Sequence, residues 1–290
     1  MIRFFLPILM ASTLFGQPAV EHACVSPEDW SSSAGDENQL LDPPEQQQAP
    51  DQQVQPSSAP VAPRDVSFSI KSFARNFFSD QKKIWTFPAK VATGRELLPV
   101  LAITGVTAAL VAGVDPTEGK YFRTHAPTFS GFNNTFSEHR TTASTLLIPA
   151  GLAGLGLITR RSYLAHTGLL ALEAWVDVDI TAEVMRNIAD RRRPLDVPLN
   201  GNYSNTWFKT ASSPLHADGS FPSGHTGWGF AVATTIARRY PHRRWVQYLA
   251  YGLATVDLAS RLTSSNHFAS DAVFGGILGY AIGRFVVVRQ

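Results

Sequence analysis

Six apolar segments, separated by short polar connections, occupy the C-terminal two thirds of the chain. The pattern does not alternate between apolar and polar positions, as a half-buried strand would, so it predicts helices. Only the first two segments run for about 18 residues without a charge, the length that a bilayer core requires. The segments are residues 97–114, 142–159, 163–186, 225–237, 245–260 and 271–288. Gly and Ala are frequent in them, notably at 151–156, which favours close helix contacts. We therefore predict an all-α fold, a six-helix bundle.

The chain before residue 96 divides into three parts of different composition. Arg3 followed by an apolar stretch predicts a signal peptide over residues 1–19. Residues 20–65 are acidic and rich in Pro and Gln, a composition that cannot bury a core, so we expect a disordered linker. Residues 66–95 mix aromatic and basic residues and predict an amphipathic segment at a membrane interface or, equally, a loop packing its aromatics on the body. The remaining domain is predicted to span 96–288.

The distribution of charge separates the N-terminal part from the body. The whole chain carries a formal net charge of +2, but residues 64–290 hold 24 basic and 15 acidic residues, a net charge near +9. A basic body suits anionic substrates or a membrane surface, and the sign alone selects neither. Cys24 is the only cysteine, so it provides no intramolecular disulfide from which export could be argued.

The first of three chemical motifs is Arg186-x6-Arg193-Pro194. A spacing of two helical turns predicts that both arginines project from one helix face, and Pro194 is predicted to end the helix. Guanidinium groups bind phosphate through paired, directional hydrogen bonds. The alternative is a basic helix stop, together with Arg191 and Arg192, whose charges face solvent.

The second motif is the string Phe221-Pro222-Ser223-Gly224-His225. Ser223 is a suitable N-cap for the apolar segment that follows, and Gly224 allows a close approach of the backbone to a ligand. Free N–H groups at a helix start form an anion site, next to which His225 would lie. The alternative is an ordinary capped helix with an incidental histidine.

The third motif is Ser260-Arg261-x5-His267-x3-Asp271. If the segment is helical, His267 and Asp271 lie on one face at positions i and i+4. A carboxylate there can accept the imidazole N–H and leave the other nitrogen free to attack. The alternative is a surface His–Asp pair of little energetic value.

The three strings, in this order and at these intervals, resemble the signature of the type 2 phosphatidic acid phosphatase (PAP2) and vanadium haloperoxidase superfamily. The resemblance covers roughly residues 95–285 and implies a helical bundle of the PAP2/haloperoxidase type. One position departs from the pattern, because the first residue is Arg186 where the family usually has Lys. Arginine keeps the positive charge but replaces a point charge by a planar fork.

The resemblance implies a phosphatase that needs no metal and works through a covalent phosphohistidine. His267 would be the nucleophile, Asp271 would orient it, and His225 would protonate the leaving group and then activate water. The groups implied to hold the phosphate oxygens are Arg186, Arg193, Ser223, Gly224 and Arg261. Because His267 must be neutral while His225 is protonated, we expect their surroundings to push the two pKa values apart.

No metal site and no cofactor are expected. The acidic residues Asp177, Asp179 and Glu183 precede Arg186 at helical spacing, so supporting ion pairs are the preferred interpretation and a divalent metal site is the alternative. Vanadate is expected to inhibit, or to act as the cofactor if the chain is a haloperoxidase. Walker-type and dinucleotide-binding glycine patterns are missing from the sequence, and no nucleic-acid partner is expected.

The expected partner is a phosphorylated lipid, either phosphatidate-like or a prenyl diphosphate. The alternatives are a periplasmic acid phosphatase of soluble monoesters, a vanadium-dependent haloperoxidase and a non-catalytic binder of anionic lipid. Aromatic residues with a lysine in the loop 195–220 suit a lipid substrate or, equally, a structural lid, and the loop 115–139 is expected to cap the same face.

The basic connections predict a membrane orientation. Arginine pairs free of acidic neighbours follow the segments that lead away from the three motifs, and the positive-inside rule places that face in the cytoplasm. We therefore expect an inner-membrane protein with its site facing the periplasm, and a soluble periplasmic bundle as the alternative. A cleaved signal peptide followed by six spans would invert this orientation.

Overall fold

The computed structural model describes residues 70–209 and 219–288 of the chain. The predicted signal peptide, the predicted linker and part of the 195–220 loop lie outside the described residues. The α-helices are α1 (Ile70–Ala92), α2 (Leu97–Gly113), α3 (Asp115–Thr124), α4 (Ser130–Thr135), α5 (Glu138–Ile158), α6 (Ser162–Ala189), α7 (Gly224–Arg239), α8 (Arg244–Thr263) and α9 (Ala269–Ala281). Within the described ranges the fold has no strand, so the all-α prediction is confirmed.

All six predicted segments form helices, but the bundle contains more than six. The segments correspond to α2, α5, α6, α7, α8 and α9, and α9 continues as a π-helical turn over Ile282–Val287. The prediction of a loop over 115–139 is wrong, because α3 and α4 occupy most of it. Pro116 at the start of α3 suits this helix, since the first helical position needs no N–H donor.

Helix α7 lies at the centre of the bundle and packs against α5, α6, α8 and α9. In the core, Trp228 and Ala231 of α7 pack in one cluster with Ala174 and Val178 of α6. The indole rings of Trp175 and Trp228 stack with centroids 4.7 Å apart. Because four helices surround α7, side chains on every face of it are buried.

Glycines allow the helix backbones to approach closely. A Cβ atom at Gly279 of α9 would lie 2.1 Å from the carbonyl oxygen of Gly227 in α7, a distance that no real side chain tolerates. A Cβ atom at Gly156 would similarly meet the backbone of α6, whereas Gly151 and Gly154 face open space. The close contacts predicted for residues 151–156 therefore involve only part of that run.

The segment before α2 is a helix rather than a loop. One face of α1 packs on α6, where Gln81 Nε2 donates to Asp177 Oδ1 at 2.8 Å. The exposed aromatic residues of α1 are Phe78, Trp85 and Phe87. The membrane-interface location expected for residues 66–95 stays a prediction, and residues 66–69 lie outside the described part.

Two helical stretches of the described residues, Ala126–Ile158 and Ala269–Val287, are long and apolar enough to cross a membrane. Helices α1 and α2 form a third if the pair, bent by 96°, is counted as one span. The stretch that begins with α9 was not one of the two segments predicted to be long enough and free of charge. The first predicted segment, residues 97–114, reaches spanning length only together with α1.

Candidate active site

Arg186 and Arg193 of the first motif lie in backbone of different conformation. Arg186 lies in the last turn of α6, but Asp190 adopts a left-handed conformation (φ 45°) that ends the helix. Arg193 follows in extended backbone (φ −69°, ψ 151°), so the prediction that both arginines share one helix face is wrong. The helix ends before Pro194 is reached, because the left-handed residue has already turned the chain away from the axis.

The second motif begins α7 as predicted. Ser223 is the N-cap, and its hydroxyl accepts from the N–H of Thr226. A Cβ atom at Gly224 would lie 2.6 Å from Nη1 of Arg186, so the guanidinium covers the main chain at this glycine. The first and second motifs therefore meet at the start of α7.

His225 is buried beside helix α5. Its Nε2 lies 2.8 Å from the hydroxyl of Thr142 and 4.0 Å from Oε1 of Glu138. The imidazole also packs against the indole of Trp228, with ring centroids 4.7 Å apart. Thr142 was not singled out by its sequence context, since a threonine in an apolar helix carries no distinguishing signal.

The third motif spans a break between two helices. Arg261 lies near the end of α8, whereas His267 precedes α9 and Asp271 lies in its first turn. The prediction that His267 and Asp271 stack on one helix is therefore wrong. Asp271 instead accepts from the N–H of Phe268 at 2.9 Å, as a residue that caps its own helix.

Ser220 takes the orienting role that was predicted for Asp271. Nδ1 of His267 lies 2.7 Å from the carbonyl oxygen of Ser220. A carbonyl can only accept, so Nδ1 carries the proton and Nε2 holds the free electron pair. The carboxylate of Asp271 contacts the hydroxyl of Ser220 and therefore acts on His267 only indirectly.

Arg191 is buried, although its sequence context suggested only a solvent-facing basic helix stop. Its guanidinium forms ion pairs with Asp115 and Asp271, and its side chain is 1% exposed. The run of three arginines before Pro194 carried no signal that would distinguish the buried Arg191 from its neighbours.

Arg186, Arg193 and Arg261 form what we call the arginine cradle. Arg261 is held by the carbonyl oxygen of Phe136 at 2.7 Å, and Arg186 pairs with Glu183 as predicted for the acidic residues of α6. Each cradle arginine nevertheless keeps one buried nitrogen without a hydrogen-bond partner among the described residues. These atoms are Nε of Arg186, Nε of Arg193 and Nη1 of Arg261.

Burial and the charges of cradle arginines lower the pKa values of both histidines. Burial, followed by the charges of Arg261, Arg186 and Arg193, lowers the pKa of His225 to about 3. Burial and the charge of Arg193 also lower the pKa of His267 well below its usual value. Burial and positive charge thus lower the pKa of both imidazoles in the site without ligand, and the expected separation of the two pKa values stays a prediction.

Buried donors of this kind are costly unless a ligand satisfies them. An unpaired buried N–H costs about 1–3 kcal/mol, and more when the group is charged. Three such donors beside two imidazoles form a candidate anion site. The structure thus brings together all the residues that the three motifs predicted, although Asp271 lies behind His267 rather than against it.

A mostly apolar cavity of about 280 Å³ lies between α5, α7 and α8. Ile148, Ile236 and Leu253 line one part of it, and Thr141 and Asp257 line another. The two histidines and the cradle arginines do not line this cavity, so it is not part of the candidate site.

Comparison with known proteins assigns this part of the chain to a family. Residues 163–290 match the family model described as PAP2 superfamily. Over 69 residues the chain is 37% identical to the lipid A 1-phosphatase of Porphyromonas gingivalis, a match that spans 23% of this chain and only 16% of that relative. A solved structure, the transmembrane PAP2-type phosphatidylglycerolphosphate phosphatase of Bacillus subtilis, aligns with a TM-score of 0.38 and 19% identity, over 72% of this chain and 94% of that one. Residues 163–290, the part of the chain that matches the PAP2 superfamily model, contain all three motifs.

Proposed function

We propose that this protein is a phosphatase of lipid phosphates or diphosphates that forms a phosphohistidine on His267 and needs no metal. The observation that carries the proposal is the arginine cradle, whose three buried N–H donors have no hydrogen-bond partner among the described residues and lie beside two histidines. A phosphoryl group offers three equatorial oxygens to such donors. The relative named lipid A 1-phosphatase suggests the chemical class of substrate.

The first step transfers the phosphoryl group to the enzyme. The electron pair on Nε2 of His267 forms a bond to phosphorus while the bond to the leaving oxygen breaks. Nε2 is free for this attack because Nδ1 is held by the carbonyl oxygen of Ser220. The cradle holds the equatorial oxygens, and such fixed charges stabilise the transition state without reorganisation.

The leaving oxygen needs a proton, which His225 supplies in this proposal. Its low pKa without ligand is caused largely by burial and by three arginines, and a bound phosphate dianion opposes the arginine contribution. Substrate binding therefore raises the pKa of His225 and allows it to carry the proton. In the second step His225 accepts a proton from water, whose oxygen attacks phosphorus as the N–P bond to His267 breaks.

A lipid substrate is favoured by the surroundings of the site. Helix α2 exposes Leu98 and Leu101 along an apolar surface that suits a bilayer. The arginines at the α5–α6 and α7–α8 junctions lie at the opposite ends of helices that lead to the site. We propose an inner-membrane location with the site facing the periplasm.

The test is a phosphate-release assay with the full chain in detergent and in EDTA. The substrates are phosphatidate, phosphatidylglycerol phosphate, a phosphorylated glycolipid of the lipid A type, undecaprenyl diphosphate and a soluble monoester. We expect release from at least one lipid, inhibition by vanadate, and an acid-labile label on His267 after a quench with a 32P-labelled substrate. His267→Ala should abolish release and labelling, whereas His125→Ala, at an exposed histidine, should change neither.

Other results would redirect the assignment. Release from the soluble monoester alone would favour a non-specific acid phosphatase, and loss of activity in EDTA would exclude the proposed mechanism. Peroxide-dependent oxidation of halide in the presence of vanadate would favour a haloperoxidase. Binding of anionic lipid without any release would leave a binding protein.

A further inference from the structure

Arg191 joins three separate parts of the chain at one buried guanidinium. Its Nη2 donates to Oδ2 of Asp115 at 2.7 Å, its Nη1 contacts Asp271 and the hydroxyl of Ser270, and its Nε donates to Thr206 at 3.1 Å. These partners belong to α3, to the first turn of α9 and to the loop that follows α6. The side chain is 1% exposed.

Aromatic rings hold the same guanidinium on both sides. The central carbon lies 4.5 Å from the ring centroid of Trp207 and 4.2 Å from that of Phe268. Unlike the cradle arginines, Arg191 has a protein partner at each of its three nitrogens. Arg191 is therefore engaged by the protein itself at each of these nitrogens.

Ser220 connects this cluster to the nucleophile. Its N–H donates to the carbonyl oxygen of Arg191 at 2.7 Å, and its hydroxyl contacts Asp271. Its carbonyl oxygen accepts from Nδ1 of His267 at 2.7 Å. Arg191 thus acts on the carbonyl that orients His267 by two routes, through its own main chain and through the carboxylate of Asp271.

We propose that Arg191 is a positioning residue that fixes the direction and tautomer of His267 by holding Ser220 and Asp271. The proposal rests on the function proposed above, in which Nε2 of His267 attacks phosphorus. Asp115 contributes to the same positioning, since it accepts from Nη2 of Arg191 and also from the N–H of Ser270 at 3.0 Å. Helix α3 thereby helps to hold the start of α9 in the position that the nucleophile needs.

The physical reason is that catalysis depends on small displacements. A misplacement of about 1 Å at a reacting group costs about a hundredfold in rate. Lysine at position 191 keeps the positive charge but has no planar fork that could engage two carboxylates and a hydroxyl together. The arginine cradle does not contact this guanidinium, so binding of the phosphate is expected to survive the change.

The experiment compares Arg191→Lys with Arg192→Lys in the full chain. Arg192 is the adjacent arginine of the same segment, and its N–H contacts the carbonyl oxygen of Thr206 as part of the same loop. We expect kcat of Arg191→Lys to fall by about a hundredfold. KM and the inhibition constant of vanadate should stay within about threefold, and Arg192→Lys should match the parent protein in all three values.

A second measurement is independent of activity. In the parent protein the 1H–15N spectrum of labelled histidines should show a proton held on Nδ1 of His267, assigned by its loss in His267→Ala. The same signal should disappear or exchange rapidly in Arg191→Lys and persist in Arg192→Lys. An unchanged signal, a kcat within threefold of the parent, or a loss of vanadate binding in parallel with kcat would each overturn the positioning role.

Ser220→Ala decides the question if Arg191→Lys does not fold. This variant removes only the hydroxyl that contacts Asp271 and keeps the carbonyl that faces His267. We expect kcat to fall by about tenfold at constant KM, because one of two restraints on the carbonyl is lost. A kcat within twofold of the parent would overturn the proposal. If the parent protein releases no phosphate from any substrate, the proposed function fails, and the histidine spectra still test the positioning.

Discussion

Helices α7 and α2 show opposite relations between hydrophobicity and burial. Helix α2 contains no charged residue, and yet none of its residues is buried. Helix α7 contains two arginines, a histidine and three threonines, and all of its residues from Gly224 to Ala237 except Phe230 are buried. The difference shows that small residues, rather than the most apolar ones, determine which helix lies at the centre of this bundle.

The reason lies in the medium that each helix faces. Gly227, Ala231 and Gly279 allow the backbones of α7 and α9 to approach within van der Waals contact. This close packing gains dispersion energy although the side chains involved are small. Leucines on α2 gain nothing by packing on a protein if their alternative is an equally apolar solvent. Matched substitutions in α2 and in the helices around α7 test this interpretation.

The largest difference is expected for polar groups at the start of α7. His225→Ala should lower kcat by about 10²- to 10⁴-fold, because a positioned proton donor contributes that much. The matched change in α2, Thr107→Ala, removes a hydroxyl that donates to the carbonyl of Ile103 in its own helix, and it should leave kcat unchanged. Steady-state phosphate release measures both, and equal rates for the two variants would remove His225 from the mechanism.

The next difference concerns the contact between α9 and α7. Gly279→Ala places a Cβ atom 2.1 Å from the carbonyl oxygen of Gly227, so we expect it to cost about 1–3 kcal/mol of stability, as overpacking does. Gly105→Ala in α2 faces open space and should be neutral or stabilising by up to about 1 kcal/mol. Thermal unfolding in detergent gives both values. A Gly279→Ala protein as stable as the parent would show that the backbones do not approach this closely.

Stability should depend on pH through His225 in the absence of ligand. Its pKa is about 3 in the folded protein, so the folded state stays neutral while the unfolded chain takes up a proton below about pH 6.5. The contribution of this group is therefore present above pH 6.5 and is lost as pH falls toward 3. Between pH 7 and pH 5.5 the parent should lose about 1 kcal/mol more than His225→Gln does.

Unfolding measured at both pH values, with and without vanadate, tests this expectation. The anion opposes the arginines and should reduce the difference between the two proteins. Identical slopes for the parent and His225→Gln without vanadate would mean that folding does not lower the pKa of His225.

The smallest effect is expected on the exposed face of α2. Leu98 is 79% exposed, so Leu98→Ala should change the free energy of unfolding in detergent by no more than about 0.5 kcal/mol. Leu262 of α8 contacts Phe122 and Ala272 in the core, and Leu262→Ala should cost about 2–5 kcal/mol. A large cost at Leu98 would indicate that α2 packs against protein, such as a second copy of the chain.

Much of the fold could be predicted from the pattern of apolar residues. The six segments are long enough for each to be predicted as a helix. The N-cap at Ser223 could be predicted because a serine precedes an apolar run. The helices α3 and α4 were missed because their sequences are rich in polar and aromatic residues without a clear period. Asp115 and Pro116 at the start of α3 were the available signal, since both suit a helix N-terminus.

The residues of the candidate site were identified by their spacing, and their connections were not. The motif pattern predicted the cradle arginines and both histidines. It failed where a helix ended earlier or began later than the spacing implied, at Asp190 and at Ala269. Spacing rules assume a continuous helix, and one left-handed residue or one short connection is enough to invalidate them.

The amino-acid sequence alone determined the helical class and the motifs that lie in the match to the PAP2 superfamily, because these depend on residue types at short range. Which carbonyl faces His267, which arginine is buried among carboxylates and which helix lies at the centre were decided only by the tertiary structure. Each of these depends on residues 47 to 155 positions apart in the chain, such as Ser220 with His267 and Asp115 with Ser270. No local pattern encodes such a pairing, because its energy arises only when packing has removed water from both partners.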